Sequence, residues 1–252
     1  MATPEFPVQN RFPEEFFSTG ELKSMLGIPY FQLSEPVQDP VQERQRAIID
    51  RVDEIDTDND EALSEYAKLY LAVLNTESNK HHFTGIPENV EEFKTYLKID
   101  GNHGLAVFNK LGQIAGFAII GDAERDQNDS WLNKFVIVNS LQNRKQEDGP
   151  KHVGKQALDK VVRWAFTTPM YDGRQRKSLH AAVIMEVPNH ERMIHLLENS
   201  DFDGKMRLPE QAVIKIKGKD FDKPVERYYL RRKQWEMRQQ LNMLQGTITD
   251  TN

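Results

Sequence analysis

Between residues 153 and 166 the apolar side chains stand at 153, 157, 158, 161, 162 and 165, one face of a helix with a 3.6-residue period. Such a stripe must be buried against a broad apolar surface. Its flanks supply one. Residues 131–138 (WLNKFVIV) read as a strand, and residues 179–187 (LHAAVIMEV) as a nearly all-apolar strand, the pattern of a central position covered on both faces.

The remaining elements fit around this core. Residues 46–56 read as a first strand. Asp60 caps a predicted helix over 61–75, with Leu63, Tyr66, Tyr70, Val73 and Leu74 on one face. Pro87 sits in the first turn of a predicted helix over 88–99, which carries Val90, Phe93, Tyr96 and Leu97. Residues 103–110 and 113–121 form two strands joined by a short turn ending in Gly112, a hairpin signal. A helix over 191–199, strands over 212–217 and 227–231 and a polar tail complete the chain. The order is a mixed α+β layout, not a regular βα alternation.

Residues 1–45 carry prolines at 4, 7, 13, 29, 36 and 40, with a short helix expected near 21–26. Six aromatics there, Phe6, Phe12, Phe16, Phe17, Tyr30 and Phe31, are too many for pure disorder. We expect a partly ordered extension over 1–45 that packs on the main domain or on a second subunit as a homodimer contact. The main domain covers 46–233, and a polar, partly helical tail covers 234–252. The chain has no cysteine, which excludes disulfides, thiolate nucleophiles and Cys-ligated metal. No apolar run reaches the roughly 18 residues of a membrane span, and residues 1–10 lack a signal-peptide core. A cytoplasmic protein with no membrane partner is the expectation.

The segment Gly149-Pro-Lys-His-Val-Gly154-Lys155 lies between the strand at 131–138 and the long helix. A loop at a helix N-terminus offers unpaired N–H groups and the positive end of the dipole to an anion. Further on, AAVIMEVPN leads into ERMIHLLENSDF. In these two landmarks residues 46–233 resemble the GNAT family of N-acyltransferases, most clearly from Gly104 to Phe202. The resemblance implies a mostly antiparallel central sheet with helices on both faces and a central strand pair that splays. It also implies a coenzyme A site, with acetyl-CoA as the cofactor. Residues Lys151, His152, Val153, Gly154 and Lys155 would hold the pyrophosphate, Asn189 would belong to the second landmark, and a backbone N–H near Val136 and Val138 would polarise the thioester carbonyl.

The chain departs from that family pattern at several points. His152 replaces the usual middle glycine, the segment 139–148 is longer than usual, and Asp201 replaces the glycine of the "GF" pair. Asn189 is one position off, which leaves His190 in its slot. Leu197 stands where many members carry the tyrosine that acts as general acid. Two other readings of the same residues fail on spacing. Gly149-x-x-x-x-Gly154-Lys155 has P-loop spacing, but Gln156 replaces the magnesium-ligating hydroxyl and ten residues separate the loop from its strand. Histidines 190 and 195 lie about 140° apart on a helix and cannot share an ion. Asp56, Asp58 and Asp60 begin like a calcium loop, but Glu61 and Ala67 occupy the glycine and glutamate positions. No metal site is expected.

Acyl transfer to an amine needs a base, a polarised carbonyl and a stabilised leaving thiolate. Glu186, at the end of the apolar strand, is the first candidate base, acting directly or through water, and His190 is the second. An acyl-CoA-binding or regulatory protein without turnover is the other functional class. Charge is uneven: residues 1–100 hold 20 acidic and 9 basic side chains, whereas residues 101–252 hold 19 and 24. An acidic half argues against a nucleic-acid partner. Glu61, Glu65, Glu91, Glu92 and the run 56–60 would give an acceptor groove a negative field, so a cationic amine acceptor is the expectation.

Overall fold

The computed structural model describes residues 31–74, 76, 87, 89–123, 128–141, 153–185, 187, 190–216 and 219–249, with the side chains of 139, 207–223 and 244–249 excepted. The strands are β1 (Ile49–Glu54), β2 (Asn102–Asn109), β3 (Ile114–Asp122), β4 (Asp129–Ile137), β5 (Ser178–Ile184), β6 (Gly204–Ile216) and β7 (Lys219–Arg231). The helices are α1 (Pro40–Arg46), α2 (Asp60–Leu74), α3 (Val90–Leu97), α4 (Val153–Thr167), α5 (His190–Asn199) and α6 (Arg232–Thr249). The strands form one sheet in the order β1-β2-β3-β4-β5-β7-β6. Each neighbouring pair is antiparallel except β4–β5, which is parallel.

Helices cover both faces of this sheet. On β2, Gly104 lies under Leu97 of α3 and Tyr66 of α2. The adjacent His103 packs edge-on to Trp164 of α4, with ring centroids 5.3 Å apart. Successive strand residues point to opposite faces, so α2 and α3 cover one face and α4 the other. The α2 layer is aromatic. Tyr70 stacks on Phe93 at 4.4 Å, and the buried Tyr66 hydroxyl donates to Leu105 O at 3.2 Å. The α4 stripe is buried at all six positions that the period predicted.

Several boundaries move for identifiable reasons. Asn59, not Asp60, caps α2 by accepting from Ala62 N at 3.0 Å, and Asp60 instead binds Lys94 Nζ of α3 at 2.9 Å. Helix α3 starts at Val90 and not near Pro87, because Asn89 accepts from Glu92 N and returns a bond to the Glu92 carboxylate. The β6–β7 hairpin has arms of 13 residues, far longer than the two short strands expected. A register shift between Arg207 and Gln211 lets edge strand β6 carry Pro209. The apolar strand ends at Ile184, short of 187. The helix expected near 21–26 lies outside the described residues.

Residues 31–46 pack on the domain. Ser34 N donates to Ile114 O at 2.8 Å, and Ile114 N donates to Gln32 O at 2.7 Å. The buried Arg46 reaches both carboxylate oxygens of Glu43, at 2.7 and 2.8 Å, and Ser140 Oγ at 3.0 Å. Ser140 Oγ in turn donates to Ser34 O. Among the described residues, no helix is long and apolar enough to cross a membrane.

Candidate functional site

The parallel pairing of β4 and β5 runs from Asp129↔Ser178 to Leu132↔Ala181 and stops there. Both strands continue. Strand β4 stays on β3 as far as Ile137↔Gly116, and β5 stays on β7 as far as Ile184↔Val225. The local cause is a bulge. Ile119 pairs with Lys134 and Ile120 with Leu132, which leaves Asn133 as the extra residue of β4. A bulge bends its strand and increases its twist, so the two strands part immediately beyond it.

Backbone direction decides which residues face the opening. Val138 N donates to Ala115 O of β3 at 3.0 Å. Residues two apart in an extended strand address the same neighbour. Val136 and Val138 therefore present their backbone groups to β3, while Phe135 and Ile137 present theirs to the side from which β5 has departed. This moves the expected positions by one residue.

Helix α4 brings its N-terminus to the same end of the sheet. Its Gln156 Oε1 accepts from Ile49 N at 3.2 Å, next to the C-terminal end of β2, whereas Trp164 lies beside His103 at the start of β2. The helix thus runs antiparallel to β2 and β4. Its first-turn N–H groups, without intrahelical acceptors, stand at the same end of the sheet as the opening. Gly154 does not have the left-handed φ that would require glycine, and a Cβ there would only touch Leu196 at 3.7 Å. Val153 is buried, and Lys155 Nζ lies 2.5 Å from Asp159 Oδ2 one turn along. Lys151, His152, Glu186 and Asn189 lie outside the described residues.

His190 opens α5. Its Nδ1 lies 2.8 Å from Val187 O. A carbonyl only accepts, so Nδ1 carries a proton and Nε2 is the ring nitrogen not committed to that bond. Leu197 is fully buried in the core and brings no hydroxyl to the site.

On the face shared with α2 and α3, β4, β5 and β7 carry a set of side chains that the sequence reading did not single out. Trp131 contacts His180 at 5.3 Å, and the Arg227 guanidinium lies 4.5 Å from the Trp131 ring centre. Arg227 Nε donates to His180 Nδ1 at 3.0 Å, His180 Nε2 lies 2.6 Å from Ser178 Oγ, and Ser178 Oγ donates to Asp129 Oδ1 at 2.6 Å. Burial first, and then the Arg227 charge, lower the His180 pKa. Lys134 points to the same face from the bulge, and burial pushes its pKa down to about 8. Asn133 Nδ2 donates to Tyr96 OH at 3.3 Å. Tyr229 lies across Gly204 so closely that a Cβ there would stand 2.0 Å from the ring. Each residue was visible in the sequence. The face it shares was not, because that depends on register across three strands.

No family sequence model matches the chain, and no curated protein matches it in sequence. Solved structures do match. A chimera of the Vibrio cholerae spermidine N-acetyltransferase SpeG with hSSAT superposes with a TM-score of 0.53 at 12% identity, over 73% of this chain and 96% of that one. The Vibrio cholerae spermidine N-acetyltransferase in complex with CoA and spermine gives 0.51 at 11%, over 72% and 95%. At these identities the likeness is one of fold. The chain has the mixed α+β acetyltransferase fold of the GNAT proteins, with a seven-stranded, mostly antiparallel sheet.

Proposed function

We propose that the protein is an acyl-CoA-dependent N-acyltransferase that moves an acetyl group from acetyl-CoA to a primary amine by direct attack. The split between β4 and β5 carries this reading, together with the α4 N-terminus at the same end of the sheet. Backbone groups of Phe135 face that opening, and an N–H so placed can bind a thioester carbonyl as charge develops on its oxygen. The first turn of α4, with Gly154 and with Lys155 beside it, would receive the pyrophosphate, and Lys151 and His152 precede it in sequence. Acetyl-CoA, when bound, supplies the activated acyl group.

Glu186 is proposed as the base, with His190 as the second candidate, its Nδ1 committed to Val187 O and Nε2 the ring nitrogen outside that bond. No general acid is assigned, and the buried Leu197 leaves that role to solvent or to the acceptor. The same observation favours a second reading, a protein that binds acyl-CoA without turnover. Thiol release from acetyl-CoA over an amine panel, alongside calorimetry of CoA binding, separates the two. Binding with release supports the transferase, binding without release supports the second reading, and no binding overturns both. Glu186→Gln is expected to lower kcat by roughly 10²–10⁴ and to leave CoA affinity in place.

A further inference from the structure

We propose that the acceptor carries an anionic group, carboxylate or phosphate, on the same molecule as its amine, and that Arg227 binds it. The proposal rests on the N-acyltransferase reading for the identity of the acceptor. Its geometric basis is separate.

Ala182 is the first residue of β5 beyond the last pairing with β4, and its partner in β7 is Arg227. Arg227 projects to the same face as His180 and Trp131, as their contacts demonstrate. The guanidinium therefore lies over the Trp131–His180 row, the last but one before β4 and β5 part, on the face opposite α4. A molecule that reaches the opening from that face passes over it.

The arginine is both fixed and unsatisfied. Its Nε is committed to His180, and its Cζ lies over the Trp131 ring, 4.5 Å from the centre. Its two Nη groups have no partner among the described residues. The nearby acids are engaged elsewhere. Glu226, on the other face of β7, lies 2.8 Å from Lys205 Nζ and accepts from Tyr228 OH, and Asp129 accepts from Ser178. A planar guanidinium held at one edge and lying over a ring presents its remaining donors as a fork suited to an oxyanion. Lys134 adds a second basic group on the same face.

Part of the acidic wall foreseen from the sequence is engaged internally. Asp60 holds Lys94 at 2.9 Å and Lys98 at 3.5 Å, Glu91 lies 3.5 Å from Lys94, and Asp56 accepts from Asp58 N at 2.9 Å. A protonated amine is cationic whatever else its molecule carries. Here it is the other end of the acceptor that meets an unpaired charge.

The test uses the full chain with acetyl-CoA and matched amines of increasing chain length: ω-amino carboxylates, aminoalkyl phosphates, the corresponding ω-amino carboxamides, and diamines. The proposal expects kcat/KM for one anionic series to exceed that for the carboxamides by about tenfold or more, the scale of one strong charged contact. Arg227→Gln should remove that excess, with circular dichroism and thermal unfolding of the variant as the folding control. Arg227→Lys should restore part of the excess. The preferred anionic series identifies carboxylate or phosphate. Calorimetry of the N-acetylated compounds in the presence of CoA reads the same preference without turnover, so failure of catalysis and failure of anion binding remain distinct. Diamines preferred over both anionic series, an excess that survives Arg227→Gln, or no preference in either readout would overturn the proposal.

Discussion

Arg227 Nε lies 3.0 Å from His180 Nδ1, and this contact sets the proton positions of a four-residue chain. An arginine Nε–H only donates, so Nδ1 is the acceptor and His180 carries its proton on Nε2. That proton faces Ser178 Oγ, whose own hydrogen goes to Asp129. The arrangement requires neutral imidazole. Ser178→Ala would take away the nearer partner of a buried Nε2–H, leaving Asp129 Oδ2 at 3.6 Å, and is expected to destabilise by about 1–2 kcal/mol. Nitrogen-detected NMR should find His180 as the Nε2–H tautomer in the wild type and still neutral below the ordinary histidine value of about 6.5. A His180 that protonates at or above that value would contradict the chain.

Lys134 is held at a cost in stability. Burial takes it from the ordinary lysine value of about 10.4 to about 8. A base whose folded pKa is lowered destabilises the fold fully below that lowered value, and the penalty fades as pH rises toward the unfolded value. Lys134→Met should therefore raise unfolding free energy at pH 7 by a few kcal/mol at most, roughly 3 from the shift. The gain should shrink by pH 10. A loss of stability at pH 7, or a gain indifferent to pH, would mean that the ammonium is held by favourable contacts.

At the other end of the sheet, His103 bridges two acids, with Nδ1 2.6 Å from Glu54 and Nε2 3.0 Å from Asp122. Arg176 and Ser130 complete the cluster on Asp122 at 2.9 and 2.7 Å. Burial alone would lower His103, but the bonds to Asp122 and Glu54 and their charges outweigh it and raise the pKa. Burial would raise Asp122, but bonds from His103 and Ser130 and the Arg176 charge hold it below the usual range. The histidine's contribution is complete below about 6.5 and is lost as pH rises through its folded value. The aspartate's is complete above about 4 and is lost as pH falls through its own. The cluster is strongest between those limits. The stability gap between wild type and His103→Gln, about 1.5–3 kcal/mol for charged hydrogen bonds, should be wider at pH 5.5 than at pH 8.5. An equal gap at both would show His103 to be neutral throughout.

What the sequence revealed follows physical lines. Helix α4 was legible because its apolar residues repeat with the helical period and its partner surface is continuous. The β2–β3 hairpin was legible because its turn is local. The long β6–β7 arms were not, since Pro209 cuts short the polar–apolar alternation of residues 205–208 and only an edge strand tolerates it. The resemblance implied a splayed pair near 136–138, but not the bulge at Asn133 or that the backbone of Phe135, and not of Val136, faces away from β3. Those depend on which backbone groups β3 takes, and no side-chain pattern records that. Arg227 read as one more residue of a short strand. Its place at the split comes from a pairing with Ala182, forty-five positions away.

Gly154 allows a test in which fold and ligand respond in opposite directions. Its backbone does not require glycine, and the space beside it ends at Leu196. Gly154→Ala places a methyl in ordinary contact there and removes chain freedom, so stability should hold or rise by about 0.5–1 kcal/mol. Gly154→Asp places a negative charge in the first turn of α4, which the helix dipole favours by about 0.3–1 kcal/mol. The same charge repels an anion held by that turn. CoA affinity, measured by calorimetry, should fall at least about tenfold, and added salt should narrow the deficit because screening weakens the repulsion. The alanine variant should keep affinity close to wild type. A folded Gly154→Asp protein with unchanged CoA affinity would remove the α4 N-terminus from the cofactor site and leave the split without its anion partner.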